Sequence, residues 1–181
     1  MYRPGLSPFS TAQSATPSST AFAKAIASYE NGGSYKALHA KASTQDGLNP
    51  SCTVLDELHA HKTRAVYDVI DSARGAREQS LLWTITTAGT DRSGICYERR
   101  THVTKILDRV VQDERVFGII YTLDEGDDHF DPAVWIKANP NLGKSVQLDE
   151  LMAQASKAQA MPSALSNFLT KRLHAWATGE S

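Results

Sequence analysis

The amino-acid sequence predicts an α/β fold in which helices flank a parallel sheet. Three short apolar runs, at residues 53–55, 81–86 and 116–123, have the composition of buried strands. Stretches with helical periodicity separate the three runs. This strand–helix–strand–helix–strand order is typical of parallel strands joined by crossover connections. After residue 130 the pattern changes to helices and loops, which predicts a helical segment behind the sheet.

Composition places the chain among ordinary globular proteins. Its 181 residues are enough for one domain with a hydrophobic core. A net charge of −1 and a pI near 6.6 give no basic signature of nucleic-acid binding. Cys52 and Cys96 have neither metal-ligand spacing nor a disulfide pattern, which is typical of reduced cysteines in the cytosol. No apolar run approaches the roughly 20 residues that span a bilayer, and no signal peptide is visible, so we predict a cytoplasmic location.

The first part of the sequence carries weaker signals. Residues 1–20 are rich in Ser, Thr, Pro and Ala and bury too little apolar surface to order themselves, so we predict a disordered lead-in. Helical spacing of apolar residues begins near Thr20 and ends at Asn31, before two glycines. A strand is predicted over residues 34–40, and a loop rich in turn formers follows over residues 43–50.

Amphipathic helices are predicted between and after the later strands. The first covers residues 62–77, and a long second helix ends near Asp113. Two more are predicted over residues 147–160 and from Pro162 onward. The apolar positions expected to face inward on the first two helices are Ala65, Val66, Val69, Ile70, Ala73, Val103, Ile106, Leu107 and Val110.

Two acids end the first of the three apolar strands. Asp56 and Glu57 directly follow Thr53-Val54-Leu55, a run that suits a sheet covered on both faces. Acids at this place project from the carboxyl edge of a parallel sheet, where such sheets bind their ligands. In a nucleotide-hydrolysing site Asp56 would hold Mg²⁺ and Glu57 would polarise the attacking water, which is the Walker B pattern. The alternative interpretation is a strand that simply meets solvent.

A second polar motif stands at the equivalent place after the next strand. Thr86-Thr87-Ala88-Gly89 follows the run that begins at Leu81. Because one crossover joins the two strands, they are expected to be neighbours, with both motifs at the same edge. A threonine hydroxyl there would sense the γ-phosphate or hydrogen-bond Glu57. The alternative interpretation is a strand end followed by a glycine turn.

Further segments extend these two motifs into a longer ordered pattern. In chain order they are Gly47-Leu48-Asn49-Pro50-Ser51, Val54-Leu55-Asp56-Glu57-Leu58-His59-Ala60-His61, Ile85-Thr86-Thr87-Ala88-Gly89, Tyr121-Thr122-Leu123-Asp124-Glu125-Gly126-Asp127-Asp128, Lys137-Ala138-Asn139-Pro140-Asn141-Leu142-Gly143 and Arg172-Leu173-His174-Ala175-Trp176. Over residues 34–178 the sequence resembles the large terminase subunits of tailed phages. The resemblance implies a partial P-loop NTPase sheet of the additional-strand type over residues 21–130. A helical linker subdomain would follow over residues 131–181.

The resemblance also implies an activity and its partners. Such a protein is an ATPase that uses ATP and Mg²⁺ to drive double-stranded viral DNA into a preformed capsid in the host bacterial cytoplasm. Asp56 matches the magnesium position and Glu57 the catalytic glutamate, while Thr86 and Thr87 match the motif that couples hydrolysis to movement and senses the γ-phosphate. The implied partners are the portal protein, the small terminase subunit and further copies in a homo-oligomeric motor ring.

The sequence departs from the family pattern in two respects. It contains no G-x-x-x-x-G-K-[ST] phosphate-binding loop, the Walker A motif, which the family carries in a more N-terminal segment. The family's C-terminal nuclease domain, with its metal-binding acids, is also expected to be missing. We therefore expect an ATPase-domain fragment that is inactive by itself. Alternatives are a non-catalytic truncated prophage remnant or interaction module, and another additional-strand enzyme such as a helicase.

Other groups of polar residues are interpreted as structural. The acids within residues 124–131 are predicted to form an exposed loop rather than a metal cluster. His59 and His61 lack a second ligand pair, so a metal role is not favoured. Arg99 and Arg100 are predicted to lie on a solvated helix face rather than on DNA.

Overall fold

The computed structural model describes residues 19–22, 25–28, 30, 32–38 and 47–177. The chain divides into two compact units, residues 1–40 and residues 41–181. Most of the predicted disordered lead-in lies outside the described residues.

The first unit holds a three-stranded antiparallel sheet in place of the predicted helix. Its strands are β1 (Ser19–Phe22), β2 (Ala25–Ser28) and β3 (Ser34–Lys36), in the order β1-β2-β3. The Ser28 amide donates to the Gly33 carbonyl at 2.8 Å, and Gly32 has a φ of +67° in the turn. The helix predicted from Thr20 is therefore wrong, because a short apolar run fits both the helical and the strand period.

The second unit begins with the predicted strand–helix–strand arrangement. Strand β4 (Cys52–Asp56) pairs in parallel with β5 (Leu81–Ile85), and α1 (Ala65–Ala73) lies between them in the chain. The register aligns the last residue of β4, Asp56, with Ile85. The predicted neighbourhood of these two strands is thus confirmed.

The two-stranded sheet is covered on one face, in contrast to the predicted burial of both. Thr53 and Leu55 are 8% and 6% exposed, whereas Val54 is 51% exposed. Trp83, the register partner of Val54, is 47% exposed on the same face. The core under the covered face consists of Leu55, Leu58, Val66, Tyr67, Ile70, Ile95 and Cys96, with Leu82 and Trp176 packed against it. Hydrophobicity alone does not show which face of a strand has a neighbour, and this is why the prediction failed.

The chain after β5 differs further from the prediction. Helix α2 (Ile95–Leu107) is shorter than expected, because Arg109 adopts a left-handed φ of 59° and the Val110 amide donates to the Lys105 carbonyl at 2.9 Å. This turn leaves Leu107 and Val110 exposed, contrary to their predicted inward orientation.

The third predicted strand, residues 116–123, forms no ladder with any other described residue. Gly118 passes so close to α2 that a Cβ added there would lie 2.4 Å from a methyl carbon of Val103. The run therefore approaches a helix at Gly118 but leaves Phe117 and Ile119 exposed, and the predicted third strand is wrong.

Helices joined by loops make up the rest of the described chain, as the periodicity predicts. Helices α3 (Trp135–Ala138), α4 (Leu148–Ala160) and α5 (Pro162–Arg172) follow a short 3₁₀ turn. Their shared core consists of Trp135, Ala138, Leu151, Ala155, Ala158, Phe168 and Leu173. No helix in the described part of the chain is long and apolar enough to cross a membrane.

Candidate functional site

The two polar motifs meet at the carboxyl edge of the β4–β5 pair. Because Asp56 is the register partner of Ile85, the next residues, Glu57 and Thr86, begin neighbouring loops. Asp56 is exposed, and its Oδ1 accepts the Glu57 amide at 2.9 Å. The structure therefore brings together the residues that the sequence predicted to share this edge.

Glu57 has an unusual backbone conformation. Its φ of 52° and ψ of 46° are left-handed, which costs a residue with a Cβ about 1–3 kcal/mol. Glu57 precedes the 3₁₀ turn Leu58–Ala60, in which Leu58 is 1% exposed in the core. Burial of Leu58 holds the turn in place, so Glu57 is directed outward at the sheet edge, with its side chain 53% exposed.

His59 links Glu57 to the threonine motif. Its Nδ1 lies 3.2 Å from Glu57 Oε2 and 3.0 Å from Thr86 Oγ1, and Thr87 Oγ1 is 3.5 Å away. The His59 amide also donates to Thr86 Oγ1 at 3.1 Å. The imidazole therefore stands between the acid and the hydroxyl that the sequence paired directly.

Lys171 joins this group from α5. Its Nζ lies 2.6 Å from His59 Nε2, 3.2 Å from Thr87 Oγ1 and 3.8 Å from Glu57 Oε2. Sequence reasoning missed both His59 and Lys171 as members of the site. They are separated by 112 positions, and no local pattern marks such a contact.

The protonation of His59 follows from these neighbours. Burial lowers the pKa of His59 below 6.5, and the charges of Lys171 and His61 lower it further, while Glu57 opposes them. The neutral form of the ring therefore predominates at pH 7. Since an ammonium only donates, Nε2 must accept from Lys171, and the ring proton lies on Nδ1, toward Glu57 and Thr86.

The C-terminal part of the second unit packs against the same loops. A Cβ added to Gly89 would lie 3.2 Å from His59 Cβ and 3.4 Å from a ring carbon of Trp176. Trp176 also meets the Tyr97 ring edge-on, and its carbonyl accepts from Arg92 at 2.9 Å. Glycine at the end of the threonine motif thus permits this close approach.

The acidic loop is held by contacts of its own. Lys137 Nζ lies 2.6 Å from Asp124 Oδ2 and 2.8 Å from Asp127 Oδ2, and this pairing lowers the pKa of the Asp127 carboxyl. Asp131 caps the following turn by accepting the Ala133 amide at 2.9 Å. Among the described residues no group of three or more His, Cys, Asp or Glu side chains is placed to hold a metal ion.

Arg99 and Arg100 lie over aromatic rings. The guanidinium carbons are 5.7 Å from the Tyr67 ring centroid and 5.9 Å from that of Tyr97, respectively. These distances are in the range of cation–π contacts.

Asp56 fits the way proteins bind magnesium at nucleotide sites. Mg²⁺ is commonly held there by one or two carboxylates together with substrate phosphates and water, rather than by a full protein cage. Asp56 offers one exposed carboxylate at the sheet edge, beside Glu57. The donor set is therefore suited to a shared metal–nucleotide site.

Family comparisons match the two halves of the chain to two parts of one protein. The family described as "Terminase large subunit, ATPase domain" matches residues 20–105. The family described as "Terminase large subunit, endonuclease domain" matches residues 110–181. The expectation that the nuclease domain is missing is therefore wrong, because residues 110–181 match part of that domain. The predicted boundary at residue 130 stays a prediction.

Individual relatives give a similar result. Protein YmfN of Escherichia coli K12 is 46% identical over 75% of this chain and 30% of that protein. The terminase large subunit of Enterobacteria phage HK97 is 29% identical over 77% of this chain and 27% of that protein. The crystal structure of the HK97 large terminase has the same fold over 88% of this chain and 33% of that one, with a TM-score of 0.75 and 24% identity.

The chain thus spans about a third or less of the length of the proteins that it matches. The fold is a terminase ATPase-like α/β arrangement with a small parallel sheet. The chain belongs to the terminase large subunit family.

Proposed function

We propose that this chain carries the Walker B side of the ATP-hydrolysing site of a viral DNA-packaging motor. One observation carries the proposal: Asp56 and Glu57 end β4 at the edge where Thr86 and Thr87 follow the neighbouring strand. In this proposal β4 and β5 belong to a partial P-loop NTPase sheet of the additional-strand type. Open α/β sheets bind their ligands at such an edge.

Each residue has a distinct role in the proposed site. Asp56 would hold Mg²⁺, which, when bound, offsets charge on the phosphates. Glu57 orients the attacking water through its carboxylate and takes up the proton of that water. Thr86 and Thr87 report the state of the γ-phosphate, because their loop is tied to the Glu57 loop through His59.

The phosphate-binding loop of this site would come from outside these residues. The sequence contains no G-x-x-x-x-G-K-[ST] motif, and a site without it lacks the lysine that reaches the β- and γ-phosphates. We therefore propose that the chain alone hydrolyses ATP poorly or not at all. The proposed partners are double-stranded viral DNA, the portal protein, the small terminase subunit and other copies in a motor ring in the host cytoplasm.

A second candidate is a non-catalytic remnant that serves as an interaction module. The open face of the β4–β5 pair favours it, since Val54 and Trp83 offer apolar surface to another polypeptide. The two candidates differ in whether Glu57 matters for activity.

An ATPase assay distinguishes them. The chain is tested alone and as an extended polypeptide, in which a terminase N-terminal region carrying the phosphate-binding loop precedes it. We expect activity only in the extended polypeptide, with loss in Glu57→Gln and retention in Glu125→Gln, a control on the exposed acidic loop. Equal activity of the extended polypeptide and its Glu57→Gln variant would remove the Walker B role and leave the interaction module.

A further inference from the structure

The site contains two basic side chains, Lys171 and His59, to which the proposed mechanism gives no part in orienting Glu57. Lys171 on α5 contacts His59, and His59 contacts Glu57. We propose that Lys171 and His59 are a positioning pair, in which the ammonium fixes the imidazole and the imidazole holds the Glu57 carboxylate. This inference rests on the proposed function, because it concerns the orientation of the acid that acts on water.

Donors and acceptors in the pair are mutually consistent. Lys171 donates to His59 Nε2, so the ring donates from Nδ1. The Thr86 hydroxyl donates to the Thr87 carbonyl at 2.9 Å and is therefore free to accept from the His59 amide and from Nδ1–H. Glu57 Oε2 lies 3.2 Å from the same nitrogen, beside the Nδ1–H that points to Thr86. Every polar atom of the ring thus faces a partner with the complementary role.

Packing holds the imidazole in this orientation. The His59 side chain is 12% exposed, and Gly89 lies against it. Hydrogen bonds are stronger in such a partly desolvated place than in water. Glu57, at 53% exposed and with a left-handed backbone, has less packing of its own, so its carboxylate depends on the histidine for a fixed direction.

The pair also connects the two halves of the chain. Glu57 and His59 lie in the stretch that matches the ATPase domain, whereas Lys171 lies in the stretch that matches the endonuclease domain. The contact therefore links α5 to the loop that carries the proposed hydrolysing acid.

Nitrogen-15 NMR of the histidine rings tests the pair without any need for activity. In the 181-residue chain we expect His59 to carry its proton on Nδ1. In Lys171→Met the proton should distribute over both nitrogens, because the partner of Nε2 sets the tautomer. Lys157→Met, at an exposed lysine on α4, should leave the signal unchanged. A wild-type signal with the proton on Nε2, or an unchanged signal in Lys171→Met, would overturn the proposal.

Kinetics of the extended polypeptide test the consequence for Glu57. Lys171→Met should lower kcat roughly tenfold with KM for ATP unchanged, since misorientation of a catalytic group acts on the transition state. Lys171→Arg should recover part of the loss. Wild-type kcat in Lys171→Met, beside an inactive Glu57→Gln, overturns the positioning role and leaves the proposed function standing. Full activity in Glu57→Gln refutes the proposed function itself, while the NMR result still decides whether the pair exists.

Discussion

Lys171 Nζ lies 2.6 Å from His59 Nε2, and this contact spans 112 positions of the chain. It brings α5 to the loop that follows β4 and places a positive charge 3.8 Å from Glu57. The acid at the sheet edge is therefore surrounded by groups from three separate parts of the sequence.

The left-handed backbone of Glu57 predicts an unusual response to glycine. Glu57→Gly should be more stable than Glu57→Ala by about 1 kcal/mol, because only the alanine keeps the strain of a positive φ. At Glu98 in α2 the order should be the opposite. Glu98→Ala should be more stable than Glu98→Gly by about 1 kcal/mol, since glycine is unfavourable in a helix interior. Chemical denaturation of the four variants checks both differences. If alanine were the more stable residue at both sites, the left-handed conformation of Glu57 would be contradicted.

Asn139 predicts a loss of stability that depends on its buried amide. Its Nδ2 donates to the carbonyls of Trp135 and Arg172 at 3.2 and 2.8 Å, and the residue is 8% exposed. Asn139→Ala should lower the free energy of unfolding by about 1–3 kcal/mol, because the Arg172 carbonyl loses its donor, while the Trp135 carbonyl keeps the backbone amide of residue 139. The exposed Asn141→Ala is the control and should change stability by less than about 0.5 kcal/mol. Comparable losses in both variants would contradict a special role for the Asn139 amide.

His174 predicts a pH dependence of stability. Burial lowers its pKa below 6.5 in the folded chain, and the charge of Lys171 lowers it further. The folded state thus favours neutral histidine. The contribution of His174 to the free energy of unfolding is therefore fully present above pH 6.5 and should be lost as the pH falls below that value. His59, which faces Lys171, Glu57 and His61, acts in the same direction.

Replacing His174 with asparagine separates its contribution to the pH dependence from that of His59. Asparagine tolerates the left-handed φ of 50° at this position and does not titrate. Melts from pH 7.5 to 5 should show a smaller loss of stability in His174→Asn than in the wild type. Parallel curves for the two proteins would mean that His174 does not titrate in the fold as described.

The open face of the β4–β5 pair predicts self-association of the isolated chain. Val54 and Trp83 are neighbours on that face, at 51% and 47% exposed. A two-stranded sheet is marginally stable by itself, and apolar side chains exposed together on one of its faces favour association with another surface. Sedimentation should show association that Trp83→Lys reduces. Val110→Lys, at a residue 72% exposed outside the sheet, should have no such effect. A monodisperse wild-type monomer with a sharp cooperative melt would contradict this prediction.

Sequence reasoning succeeded where the signal was local. The strand ending in Asp56, the neighbouring strand before Thr86 and the helices around Leu151 and Phe168 follow from apolar runs and helical spacing. Parallel pairing then placed both polar motifs at one edge. These features depend on a few consecutive residues or on a single crossover.

The failures have a shared physical cause. The run that begins at Val116 has strand composition, but a strand also needs a hydrogen-bonded neighbour, and composition does not supply one. The run at Thr20 fitted two periods equally, and tertiary pairing decided between them. Lys171 was missed for the same reason, since its partner His59 is distant in the chain.

The central claim is that Glu57 acts on water while other groups bind the nucleotide. Single-turnover hydrolysis of ATP by the extended polypeptide tests it most directly, with binding of ATP measured in the same samples. We predict that Glu57→Gln binds ATP with an affinity within about threefold of the wild type but leaves the bound nucleotide intact, since removal of the general base affects the chemical step. Cleavage of bound ATP by Glu57→Gln at the wild-type rate would contradict the claim.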